Sequence, residues 1–206
     1  MTARLITIEG IEGAGKTTSI NFISQYLEVQ GKQLVITREP GGTALGEQIR
    51  SLLLAPRQDG MAVDTETLLM FAARAEHLNQ IIRPALAAGK WVVSDRFTDA
   101  SYAYQGGGRG IPADRIATLE EWVQGNLRPD LTLLLDLPAS LGLQRAGRRS
   151  APDRFETEQL AFFERVRAAY LEQAKHHPQR YRVIDASQSE EGVEHQIKQA
   201  LDKLIS

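Results

Sequence analysis

The chain of 206 residues contains no cysteine, which excludes a disulfide framework, a thiolate metal site and a dithiol redox centre. Aromatic residues are sparse at 6 %. No apolar run approaches the roughly 20 residues that a bilayer-spanning helix needs. Neither sign of charge dominates: the formal net charge is −2, unlike a protein that coats nucleic acid or lies on a membrane surface. The first residues lack a charged-then-apolar signal segment, so a cytoplasmic location with no membrane or nucleic-acid partner is expected. Histidine is scarce as well, and the pair His176 and His177 before Pro178 reads as an exposed helix end without metal-ligand spacing.

What is present is an ordinary globular composition, with 42 % hydrophobic and 24 % charged residues. Five short apolar runs are continuous rather than alternating, as buried parallel strands are. They are Arg4 to Glu9, Gln33 to Thr37, Trp91 to Ser94, Leu131 to Asp136 and Tyr181 to Ile184. Helical spacing fills the gaps. Leu45, Ile49, Leu52 and Leu53 share one face, and Leu68, Phe71, Ala75, Leu78, Ile82 and Leu86 another. Phe163, Val166 and Tyr170 mark a third helix, and Val193, Ile197, Ala200, Leu201 and Leu204 a closing one. Alternating strands and helices predict an α/β fold with a five-stranded parallel sheet covered by helices on both faces. A single domain over residues 1–206 is expected, with ligands beyond the carboxyl ends of the strands.

The first strand runs into Gly10-Ile11-Glu12-Gly13-Ala14-Gly15-Lys16-Thr17-Thr18, and a helical pattern follows. This is G-x-x-x-x-G-K-[ST] between strand and helix, the setting that gives the motif its meaning. Glycines let successive backbone N–H groups curl round phosphate oxygens. The helix start aims its positive end at the same anion. Lys16 adds a mobile charge for the β- and γ-phosphates, and Thr17 offers a hydroxyl to Mg²⁺. A nucleoside triphosphate site is predicted.

Three further features follow strand ends. Arg38 and Glu39 precede the turn Pro40-Gly41-Gly42-Thr43; a guanidinium there suits a second phosphate, and a carboxylate suits a metal or a hydroxyl. Asp95 and Arg96 end the third strand, an acid for Mg²⁺ or its waters beside a bidentate phosphate grip. The stretch from Ser101 through Tyr104, Gln105 and the glycines to Gly110 reads as a flexible loop, with Gln105 able to meet a base edge. Finally, Arg145, Arg148, Arg149 and Arg154 cluster around Gly147 and Pro152. They predict a mobile arginine-bearing lid over about residues 142–155, which a kinase needs so that water does not take the phosphoryl group.

Together with Phe71-Ala72-Ala73-Arg74 and Arg128-Pro129-Asp130-Leu131-Thr132, these motifs resemble bacterial thymidylate kinases over essentially the whole chain. The resemblance implies transfer of the γ-phosphoryl group of Mg-ATP to thymidine monophosphate (dTMP), by a homodimer packed through long helices. By position, Arg38 and Arg96 with Arg50 would hold the monophosphate. Arg74 would bond the thymine ring, with Gln105 and Ser101 completing its recognition. Met70 or Phe71 would stack on the base, and Tyr104 would sit by the sugar. Lys16, Arg148 and Arg149 would stabilise the transition state, with Arg149 as the foremost finger. Glu9, Glu39 and Asp95 would organise metal or water, and Arg145 with the turn near Ala186 and Ser187 would meet adenine. Glu12 occupies a loop position where some members are basic.

A kinase for another monophosphate or for a deoxynucleoside shares these features. A regulatory switch NTPase is the remote alternative. A guanine-reading switch carries Asn-Lys-x-Asp after a late strand, and that tetrapeptide is absent.

Overall fold

The computed structural model describes residues 3–56, 59–147, 154–155 and 158–205. Its five strands are β1 (Leu5–Glu9), β2 (Leu34–Arg38), β3 (Trp91–Asp95), β4 (Leu131–Asp136) and β5 (Tyr181–Asp185), all parallel in the order β2-β3-β1-β4-β5. Each lies within one residue of its predicted bounds. Alternate residues feed opposite faces. Ile6 and Val93 join Ile23 and Leu27 of helix α1 (Lys16–Val29) and Leu201 of helix α9 (Glu190–Ile205), whereas Leu5 and Val92 pack with Leu78, Ile82 and Phe97. Burial on both sides is why the central strands β1, β3 and β4 read as unbroken apolar runs; the edge strands β2 and β5 are only partly buried, with Ile36 and Val183 exposed.

The remaining helices are α2 (Ala44–Leu54), α3 (Val63–His77), α4 (Arg83–Ala87), α5 (Thr98–Ser101), α6 (Ala113–Gln124), α7 (Ala139–Ala146) and α8 (Leu160–His176). Helix α2 starts at Thr43, whose side chain accepts from Gly46 N–H at 2.9 Å, as a good N-cap does. Among the described residues no helix is long and apolar enough to cross a membrane.

Two expectations change. The face predicted through Leu68, Ala75 and Leu86 is not continuous, because Leu78–Ile82 is π-helical. A π turn holds more residues than an α turn and rotates everything beyond it. Before it, Phe71 and Arg74 are buried while Leu68 is exposed; within it Leu78 and Ile82 are buried, and after it Ala85 is buried and Leu86 only partly. The stretch at 101–110, read as a flexible loop, is ordered: α5 runs into a second π-helical segment, Tyr102–Gly108, lying against α8. Its glycines are there for room. A Cβ on Gly107 would come within 2.5 Å of Ala169 Cβ, and one on Gly108 within 2.5 Å of Phe162 Cε2.

Candidate active site

Helix α1 begins at Lys16 with Gly15 as its cap, in a left-handed conformation (φ 91°) and without a side-chain hydrogen bond. The first-turn N–H groups are therefore available to an anion. Gly13 (φ 72°) is needed for a second reason, because a Cβ there would lie 2.0 Å from the Gly142 carbonyl oxygen of α7. Lys16 Nζ donates to the loop carbonyls of Gly10 and Ile11 at 3.2 and 3.1 Å. Burial, reinforced by Arg96, pulls its amine down to about 8. Thr17 and Thr18 are exposed on the first turn.

Arg96 carries the strain at this site. It is the only described non-glycine residue with a positive φ, at 69°, a conformation that costs on the order of 1–3 kcal/mol and concentrates at functional positions. That backbone turns its guanidinium back over the loop, where it donates to the Gly10 carbonyl (3.0 Å), Glu12 Oε1 (2.8 Å) and the hydroxyls of Tyr104 and Tyr170 (3.0 and 3.1 Å). Tyr104 donates to Glu12 in turn.

Between β3, α2 and α3 lies a cavity of about 270 Å³. Arg38, Arg50 and Arg96 line it, with Arg74, Ser101 and Gln105, and with Met70 and Phe97. Arg38 is steadied by Glu47 Oε2 at 2.9 Å, and Arg50 donates to the Pro40 carbonyl at 3.0 Å. Burial lowers the Arg50 pKa, and Arg38 and Arg96 push the same way. Three guanidiniums converging with too little negative charge form a site for an anion.

Arg74 Nε bonds Glu39 Oε2 at 2.7 Å; its other nitrogens reach Ser101 Oγ and the Phe97 carbonyl. Glu39 Oε1 lies 3.0 Å from His77 Nδ1, and His77 Nε2 lies 2.6 Å from Thr37 Oγ1. A carboxylate only accepts, so His77 Nδ1 donates to Glu39. Glu39 is thus committed to holding Arg74. Phe71, expected against a base, is buried instead, its ring 4.6 Å under the Arg74 guanidinium. Met70 lines the cavity because it shares a helix face with Arg74 four residues on.

Glu9 also departs from its expected part. It is fully buried, and its oxygens accept from Phe97 N–H and the Tyr170 hydroxyl, both at 2.7 Å. Desolvation, with Asp99 adding to it, pushes its carboxyl up to about 8, and both oxygens are taken by protein donors. Asp95 is different: it lines the cavity, and its Oδ1 is buried without a hydrogen-bond partner among the described residues. A second cavity of about 240 Å³ continues from Gly13–Gly15 and Thr18 to Arg145, Ala186 and Gln188, with Arg145 Nη1 bonding the Ala186 carbonyl at 2.9 Å. Arg148 and Arg149 lie outside the described residues.

The thymidylate kinase family profile matches residues 8–197. The chain belongs to the thymidylate kinase family. It is 57 % identical to a thymidylate kinase of Pseudomonas syringae pv. tomato over 205 residues, covering 100 % of this chain and 98 % of that one. A thymidylate kinase of Ectopseudomonas mendocina is 58 % identical over the same length and coverage. The crystal structure of thymidylate kinase from Ehrlichia chaffeensis superposes with a TM-score of 0.80 at 34 % identity, covering 98 % of this chain and 99 % of that chain. Like other thymidylate kinases, this enzyme phosphorylates dTMP, with ATP and Mg²⁺ as the phosphoryl donor. The residues present fit that donor, given a phosphate loop with uncapped N–H groups, exposed Thr17 and an unpaired buried oxygen on Asp95. Sequence reasoning missed Glu66, His77 and Tyr170. Each acts through a partner at least 38 positions away, which no local pattern reveals.

Proposed function

We propose that the 270 Å³ cavity is the dTMP site and that the phosphate loop with the second cavity holds ATP. The observation that carries this reading is the convergence of Arg38, Arg50 and Arg96 beside Lys16, with Arg50 pulled below its usual range. Such a cluster suits the acceptor's phosphate next to the γ-phosphate. Arg74, Ser101 and Gln105 then face the base, and Met70 and Phe97 its flat surfaces. Tyr104 narrows the sugar region, and adenine lies toward Arg145 and Ala186.

Phosphoryl transfer runs through a loose, charge-rich transition state, so position and electrostatics do most of the work. Lys16, with Arg148 and Arg149, offsets charge on the transferring group; the lid expected over about residues 142–155 begins no earlier than the end of α7 at Ala146. Arg96 and Arg38 hold the acceptor phosphate in line. That acceptor is already anionic, so no general base is required. Mg²⁺ supplies positive charge to the donor phosphates when bound; Thr17 and Asp95 are the residues placed to hold it or its waters.

We also infer one domain over residues 1–206, acting as a homodimer in the cytoplasm, where ATP is made available. The dimer reading is supported by Leu45 and Leu52, two turns apart on α2, by Leu68 on the adjoining α3, and by Trp122 on α6, which packs on α3. They are 49, 49, 56 and 82 % exposed. Apolar side chains on three neighbouring helices suit a symmetric helix interface. The test of function is ADP release from Mg-ATP with a panel of nucleoside monophosphates and with thymidine. Release that depends strongly on dTMP is expected, and release indifferent to every acceptor would sink the site assignment.

A further inference from the structure

Glu66 is 1 % exposed, sits at the start of α3, and touches neither phosphate site. Its Oε2 lies 2.7 Å from Arg154 Nη2, and Arg154 is itself anchored through Nε to the Leu53 carbonyl at 2.8 Å. Its Oε1 accepts from Gln105 Nε2 at 2.9 Å, with Arg109 Nε farther off at 3.4 Å. Gln105 is 1 % exposed and lines the nucleotide cavity.

The two ends of a glutamine amide look alike in shape but differ in hydrogen bonding, so the surroundings decide which end points where. A carboxylate accepts and does not donate. Glu66 therefore draws the nitrogen of Gln105 toward α3, which leaves Oε1 as the end of the amide free to accept. We propose that Glu66 is a specificity-determining positioning residue: by fixing the Gln105 amide, it makes the base site an acceptor for a ring N–H. This rests on the reading that Gln105 meets the base.

The chemistry separates the pyrimidines. Thymine offers an N–H at ring position 3 between two carbonyls. Cytosine offers a bare ring nitrogen there and an amino group beside it. An amide oxygen at that place pairs with thymine and opposes the lone pair of cytosine. Arg74, a donor only, pairs with a carbonyl and not with an amino group. Sites whose buried polar groups would be left unpaired reject the wrong ligand strongly. The two residues thus discriminate in the same direction, and Glu66 is what keeps Gln105 from turning over.

The test is Glu66→Gln. An amide at 66 cannot accept on both sides. Facing the Arg154 guanidinium it must present oxygen, so its NH₂ meets Gln105, which then flips to give oxygen to α3 and nitrogen to the cavity. The kcat/KM values for dTMP and dCMP are measured in the parent, E66Q, Q105A and the double variant. Their ratio does not depend on how much of each preparation is folded. E66Q is expected to lower the dTMP/dCMP ratio by about tenfold or more, through a raised KM for dTMP with the KM for ATP unchanged. In the Q105A background, E66Q should change the ratio no further. Glu66→Asp keeps the charge beside Arg109 and Arg154 but withdraws it from Gln105, and should shift the ratio the same way if E66Q does not fold. A parent-like ratio in the Glu66 variants, with a lowered one in Q105A, overturns the role of Glu66 and leaves the base-reading role of Gln105 standing. A parent-like ratio in Q105A overturns both.

Discussion

Arg74 and Glu39 form a fully enclosed ion pair, 2.7 Å between Nε and Oε2, with side chains only 3 and 4 % exposed. Removing one partner from such a pair leaves a buried charge uncompensated, at a cost of about 3–5 kcal/mol. Arg74→Ala should therefore lower the unfolding midpoint as well as raise the KM for dTMP, while the KM for ATP stays near the parent value. Thermal unfolding and two-substrate kinetics check both. Equal losses for the two substrates would show that Arg74 does not read the base.

Lys16 has its amine pulled down to about 8 by burial and by Arg96. Below that pH it is charged and attracts the donor phosphates; above it the free protein must first take up a proton to bind. The dissociation constant for ATP should rise as pH increases from about 7 to about 9.5, and Lys16→Ala should abolish transfer. Calorimetric titration at several pH values reads the first, and a flat profile would remove Lys16 as the titrating contact.

Glu9 titrates the other way. Its folded value lies near 8 against an ordinary 4.5. Between those values the folded chain binds more protons than the unfolded one, so the contribution of Glu9 is complete below about pH 4.5 and is lost as pH rises through about 8. The neutral Glu9→Gln variant lacks this slope. Its unfolding midpoint should gain on the parent's as pH increases across that window; parallel curves would refute the assignment.

Gly108 faces Phe162 so closely that any Cβ must displace the ring. Gly108→Ala should cost about 1–3 kcal/mol in denaturant unfolding, as overpacked interiors do. A neutral outcome would mean the Tyr102–Gly108 segment yields easily, as the loop reading of the sequence supposed.

Much of this architecture is legible in the chain itself. Parallel strands buried on both faces announce themselves as runs such as Leu131 to Asp136, and the phosphate loop is a contiguous motif whose glycines have local reasons. Arg38 and Arg96 also stand out, since each sits at the end of a strand, whereas Arg74 is reached only through the family resemblance. What periodicity cannot convey is a change of period. The π turns at Leu78–Ile82 and Tyr102–Gly108 break the 3.6-residue rule on which the continuous face from Leu68 to Leu86 rested. Nor can it convey tertiary pairing. Nothing near Tyr170 in the sequence hints that its hydroxyl serves Glu9, and nothing near Gly107 shows that Ala169 needs the space.

Gly13 and Gly142 meet where any side chain on either would strike the opposite backbone: 2.0 Å from the Gly142 oxygen in one direction, 2.6 Å from the Glu12 oxygen in the other. The loop and helix α7, some 130 positions apart, are consequently one interlocked unit. Anyone grafting this loop onto another kinase has to carry residues 139–146 along with it, because the two pieces were cut to one another's outline.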